Sequence, residues 1–173
     1  MSDAPAFFGK LLPPPNTINP DISSLEYWFT SMIAGLVGAL AMEATMALIS
    51  RADRSKGSMI VALGGLVTGR RENAFRTGVI IHATSAVVFA LIYKAAMIQF
   101  GLAQPPESFF VGIGFGFIHG IMVSLALVWV IAEQHPLEEF NQAGFAVGLT
   151  HLAGHIAFGA AVGLVVGVTS SAG

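Results

Sequence analysis

Four long runs of apolar residues dominate the pattern of hydrophobic and polar positions along the chain, at about 27–50, 77–99, 109–132 and 144–167. A helix of about 20 residues, rising about 1.5 Å per residue, crosses a hydrocarbon core about 30 Å thick. The strands of a membrane barrel would need short segments of alternating polarity, which these runs lack. The pattern therefore predicts an all-α integral membrane protein with four transmembrane helices in a compact bundle.

A shorter apolar segment, Met59 to Val67, lies between the first and second runs. It is too short to cross a membrane, so it predicts an interfacial or re-entrant helix between helices 1 and 2. Gly64 and Gly65 lie in its middle, and Arg70 and Arg71 follow it. We predict that these two arginines contact lipid headgroups. A phosphate-binding loop is the alternative, but its full sequence pattern is missing.

Composition agrees with the bilayer as solvent. Hydrophobic residues make up 54% of the chain and charged residues 10%, which leaves too little polar surface for a water-soluble domain. The chain has no cysteine, which excludes disulfides, thiolate metal ligands and a cysteine nucleophile. Nucleic acid is not expected as a partner, because the basic residues are few.

The first 26 residues are predicted to form an N-terminal arm ahead of a single transmembrane domain at 27–173. The arm contains Pro13, Pro14, Pro15 and Pro20, and it lacks the basic start and apolar core of a cleavable signal peptide. We expect it to stay on the mature protein. It either extends along the membrane or a neighbouring protein, or forms a disordered tail.

The charged loops predict the orientation in the membrane. Six of the eight basic residues lie between the first two runs: Arg51, Arg54, Lys56, Arg70, Arg71 and Arg76. The positive-inside rule places this loop in the cytoplasm and both termini on the opposite side of the membrane. We expect this membrane to be a bacterial inner membrane. Glu133, Glu138 and Glu139 then face the basic loop, either as salt-bridge partners or as a docking surface.

Small residues recur at intervals of four on the last two runs. The two rows are Gly112, Gly116 and Gly120, and Gly159, Gly163 and Gly167. Such a glycine zipper lets two helix backbones approach closely, which supplies the van der Waals contact that drives helix association in lipid. We therefore expect the third and fourth transmembrane helices to pack tightly together.

Each apolar run also contains a titratable residue near its middle: Glu43, His82, His119, and the pair His151 and His155. A titratable side chain in a membrane costs several kcal/mol unless it faces a partner, a cofactor or water. A depth estimate at about 1.5 Å per residue puts all five in one slab of the cytoplasmic half. The sequence therefore predicts one buried His/Glu cluster.

Three hypotheses account for this cluster. The protein is first predicted to be an accessory or structural subunit of a larger energy-transducing, respiratory or oxidoreductase complex, with other membrane subunits as partners. Alternatively, it binds haem b between His82 and His151 or between His119 and His155, or it binds a transition metal. A third reading is a small proton or ion transporter. No complete catalytic signature is present, so an enzyme is not predicted.

Two stretches carry a resemblance to a family. From His155 to Gly167, a histidine is followed by a glycine-rich helix, and this resembles the last span of small uncharacterised four-span bacterial inner-membrane proteins. The stretch from His82 to Tyr93, after a short apolar loop helix, is similar to their second span. The resemblance implies the fold and matches His82 and His155 to family positions, but it implies no activity.

Overall fold

The computed structural model describes residues 24–53, 59–141 and 144–171. In these ranges the chain forms helices and turns, and none of the described residues is in a strand. Most of the predicted N-terminal arm, and the side chains of Arg51, Arg54 and Lys56, lie outside the described residues. The all-α prediction is confirmed for the described part of the chain.

The α-helices, numbered along the chain, have the following bounds: α1 Leu25–Asp53, α2 Met59–Thr68, α3 Arg71–Gln99, α4 Glu107–Ala126 and α5 Phe145–Ser171. A π-helical turn at Leu127–Ile131 continues α4, and a 3-10 turn at Glu138–Phe140 lies in the connection to α5. The short helix α2 occupies the segment for which the sequence predicts a helix too short to cross a membrane.

Four helical segments are long and apolar enough to cross a membrane: Leu25–Ser50, Arg71–Gln99, Glu107–Trp129 and Phe145–Ser171. The predicted number of such segments is therefore confirmed for the described residues. The largest difference in bounds is at α3, which begins at Arg71 instead of near residue 77. Its first two turns contain charged residues. A helix can include such residues, but a prediction from apolar character alone stops at them.

The helix α5 lies at the centre of the packing. It contacts α4 along one side and α1 along the other, whereas α3 packs against α1 and α2 and touches α4 and α5 only lightly. The buried core includes Met42 and Met46 of α1, Met97 of α3, and Phe158 and Val162 of α5. Because α3 stands away from α4, side chains fill the space between these two helices.

Glycines bring α4 and α5 into backbone contact. A Cβ atom built on Gly112 would overlap the carbonyl oxygen of Gly159, and one built on Gly159 would overlap that of Gly112. Gly116 lies in the same way against the carbonyl of His155, and Gly163 against that of Ser108. A larger residue at any of these positions would push the two helices apart.

An ion pair joins two charged segments at one end of the molecule. Arg71, at the start of α3, pairs with Glu139 in the connection between α4 and α5. Both side chains are largely exposed, at 67% and 47%, so the pair contributes little to stability. Arg70 is exposed beside it. We call this end, where α3 begins, the basic end.

Candidate functional site

A cavity of about 170 Å³ lies among the five helices. Its polar wall comes from α3, α4 and α5: His82, Ser85, His119 and His155. The rest of the wall is apolar, and Met59 and Leu63 of α2 form part of it. Three of the five predicted titratable residues therefore line one space.

Glu43 of α1 faces the cavity residue His82. The Glu43 Oε1 and His82 Nε2 atoms are 3.5 Å apart, which is too long for a direct hydrogen bond but within range of an ion pair. Both atoms are buried, and neither has a hydrogen-bond partner among the described residues. Buried polar atoms nearly always have a partner, so this pair is where a proton or a bridging water would be most strongly held.

His119 lies in an aromatic setting. Its Nδ1 shares a hydrogen bond of 3.1 Å with the hydroxyl of Tyr93, and its ring lies 3.9 Å from that of Phe89, centroid to centroid. The ring of His155 meets it edge-on at 4.6 Å. These side chains bridge the space between α3 and α4 and fix the imidazole of His119 against its neighbours.

Backbone carbonyls set the tautomers of the two histidines on α5. The Nδ1 of His155 donates to the carbonyl of His151 at 2.8 Å, and the Nδ1 of His151 donates to that of Val147 at 2.7 Å. A carbonyl can only accept, so Nδ1 carries the proton in each neutral ring. The Nε2 atom is then the one that accepts a proton or a metal ion.

The predicted cluster is thus divided. His82, His119 and His155 line the cavity, and Glu43 lies beside His82. His151 is buried, but it is bonded to its own helix and does not line the cavity. A site of four residues, which we call the His/Glu site, therefore remains: Glu43, His82, His119 and His155.

Two buried polar residues of α3 were not predicted from the sequence, and one of them contacts this site. Tyr93 is buried and holds His119, as described above. Lys94 is 7% exposed; its Nζ donates to Thr30 Oγ1 and lies 4.7 Å from the ring centroid of Tyr27. A lysine near the end of an apolar run usually extends to the membrane surface. The sequence therefore does not indicate that Lys94 is buried.

The site does not fit a haem. Axial ligation by two histidines places the iron and the porphyrin between their rings, but the rings of His119 and His155 are in mutual contact. In the other predicted pair, His151 lies outside the cavity wall. The cavity of about 170 Å³ is also smaller than the roughly 300 Å³ at which cofactor pockets begin.

A metal centre of three or more ligands is also not formed. Among the described residues, no group of three His, Asp or Glu side chains is arranged to hold a metal ion. The histidines and Glu43 instead form two pairs, Glu43 with His82 and His119 with His155. Such pairs suit proton exchange better than metal coordination, because a proton needs only one acceptor at a time.

Comparison with protein-family models, with curated proteins and with solved structures finds no match for this chain.

Proposed function

We propose that this protein is an integral membrane protein that binds and exchanges protons at the His/Glu site. One observation carries the proposal: three helices each place a histidine on one small cavity, and a carboxylate faces one of these histidines. Histidine is the side chain whose charge changes near neutral pH, and titratable groups within a membrane usually mark proton or ion pathways.

The size of the cavity supports this function. A volume of about 170 Å³ has room for several water molecules at about 30 Å³ each, and the wall offers them polar partners. Water held there would connect the Glu43–His82 pair with the His119–His155 pair. A proton could then pass between the pairs without movement of the helices.

The surroundings of the site support exchange with one side of the membrane only. Towards the end opposite the basic end, Met97, Val162 and Val166 are completely or almost completely buried. The buried polar residues at this end, Ser31, Lys94 and Ser108, do not line the cavity. We propose that the accessible side is the cytoplasmic one and that both termini lie on the other side of a bacterial inner membrane, since the positive-inside rule supports this orientation.

One-sided access favours the accessory-subunit hypothesis over a stand-alone transporter. A site that takes up protons from one side can supply them to a neighbouring subunit, but it does not carry them across by itself. We therefore propose a subunit of an energy-transducing complex that buffers or delivers protons. Copurification from native membranes in mild detergent tests this part, and a protein that is always isolated alone contradicts it.

The proton-binding part is tested by nuclear magnetic resonance of protein labelled with ¹⁵N in its histidines and held in lipid nanodiscs. Single His→Gln variants assign the side-chain signals. Between about pH 8 and about pH 5, we expect the signals of His82 and His119 to report a change in protonation. Glu43→Gln should reduce the charged form of His82 at a given pH, because its negative partner is lost.

His151 provides the matched control, because it lies on the same helix as His155 and is equally buried but is not on the cavity. Its signal should not respond to Glu43→Gln. The proposal fails if all three cavity histidines remain neutral over this pH range.

A further inference from the structure

The short helix α2 separates the cavity from the basic end. It contributes Met59 and Leu63 to the cavity wall, one turn apart on the same face. Its ten residues, Met59–Thr68, include no charged side chain. No other described element combines a place on the cavity wall with a length too short to cross the membrane.

One side of α2 is packed firmly on the first turns of α3. A Cβ atom built on Gly64 would overlap the carbonyl oxygen of Ala74, and one built on Gly78 would overlap that of Ile60. The two backbones are therefore in contact along one line. Through this backbone contact, α2 would stay attached to α3 if its other contacts were released.

The connection between α4 and α5 also holds α2, through His135 and Leu137. The Nδ1 atom of His135 faces both the backbone N–H of Leu137, at 3.0 Å, and the Leu137 carbonyl oxygen, at 3.2 Å. Its Nε2 atom faces the carbonyl of Ala62, which can only accept a hydrogen bond, so Nε2 carries a proton. Nε2 then donates to the carbonyl of Ala62 at 2.9 Å. His135 is only 5% exposed, and Leu137 packs directly on Gly65.

We propose that α2 is a lid that controls access from the basic end to the cavity, and that His135 is the latch that holds it closed. The contact line with α3 is the fixed edge, and the His135–Ala62 hydrogen bond with the Leu137–Gly65 contact is the releasable edge. Rotation about the fixed edge withdraws Met59 and Leu63 from the cavity wall. The lid determines access and is independent of the ion that the cavity takes up.

The connection between α4 and α5 also contains a residue that serves as the position of a control substitution. Glu139 belongs to the same segment as His135, but it pairs with Arg71 at the start of α3 and not with α2. Removing its charge breaks an ion pair of this connection and changes no contact of α2. The two positions therefore separate a latch from general loosening of this segment.

Because the chain has no cysteine, a single introduced thiol reports access to the cavity. In Ser85→Cys protein, whose thiol lies on the cavity wall, the rate of modification by a small water-soluble maleimide is measured by mass spectrometry of the residue 85 peptide. We expect His135→Ala to raise this rate by about fivefold. Loss of one hydrogen bond, at about 1 kcal/mol, changes the ratio of open to closed lid by this factor. Glu139→Gln should leave the rate unchanged. Equal rates in all three proteins, or an equal increase in both variants, would overturn the proposal.

A second variant covers the case in which His135→Ala does not fold. Gly65→Cys with Leu137→Cys places two thiols across the releasable edge, since Leu137 Cγ is 3.5 Å from a Cβ built on Gly65. Oxidation should lock the lid and slow modification at residue 85, and reduction should restore it. Failure of the disulfide to form contradicts the packing of Leu137 on α2, and an unchanged rate in the locked protein contradicts the lid.

Discussion

Two glycines on α4 give a sharp test of the α4–α5 packing. Gly112 lies against the backbone of Gly159, whereas Gly114, two residues later on the same helix, has open space where a Cβ would be. Alanine adds the same single methyl group at either position. The two substitutions therefore differ only in what this group meets.

The expected free energies of unfolding follow from this difference. At Gly114, alanine gains about 0.5–1 kcal/mol, because glycine is the poorer helix former. At Gly112 the same gain is outweighed by overlap with a backbone carbonyl, which cannot rotate away as a side chain does. Overpacking of this kind costs about 1–3 kcal/mol or more, and a gap of about 1 Å between helices forfeits a quarter to a half of the dispersion energy of each separated contact. We expect Gly112→Ala to destabilise the protein by about 1–2 kcal/mol, which is the overpacking cost less the gain in helix propensity.

The assay is reversible unfolding in mixed micelles of a mild detergent and a denaturing one, followed by helix content. Gly112→Ala should unfold at a lower fraction of denaturing detergent than the parent protein, and Gly114→Ala at the same or a higher fraction. If the two variants shift equally, the close approach of α4 and α5 is refuted. A shift at Gly114 alone would mean that the opposite face of α4 makes the contact.

Three further predictions use the same unfolding assay or the histidine spectra. Thr30→Val should destabilise the protein by about 1–3 kcal/mol, because it leaves the buried ammonium of Lys94 without its acceptor. Lys94→Met should be neutral or stabilising. If Lys94→Met is the more destabilising of the two, the result contradicts a structural role for this contact. Tyr93→Phe keeps the ring but removes the hydroxyl, so the ¹⁵N signals of His119 should change while those of His151 do not; an unchanged His119 would show that the bond is not formed. Glu139→Gln should change stability by less than about 1 kcal/mol, because its pair with Arg71 is largely exposed, and a larger loss would contradict this assignment.

The sequence predicts the four long helices well because apolar character over about 20 residues is a local property. It does not predict the start of α3 at Arg71, since charged residues are tolerated in a first helical turn. Apart from the close packing of α4 with α5, which their glycine rows predict, it does not predict which helices are neighbours. The pairing of Glu43 with His82 depends on contact between α1 and α3, and no local pattern encodes that contact.

The candidate site was predictable only in part, for a geometric reason. His151 and His155 are four residues apart and share a helix face, yet one turn separates them by about 6 Å along the axis. The cavity wall includes His155 and does not include His151, which lies one turn further along α5. Tyr93 and Lys94 are adjacent in sequence, but they point about 100° apart around α3, the first to α4 and the second to α1.

Proton uptake tests the central claim most directly. Purified protein in a weakly buffered solution, with a pH-sensitive dye, is shifted by a small acid pulse from about pH 8 towards pH 5, where histidine gains its proton. The parent protein and His151→Gln should take up protons equally. The double variant His82→Gln with His119→Gln should take up fewer protons, by a stoichiometric amount. Equal uptake by the double variant and by His151→Gln would contradict proton binding at the His/Glu site.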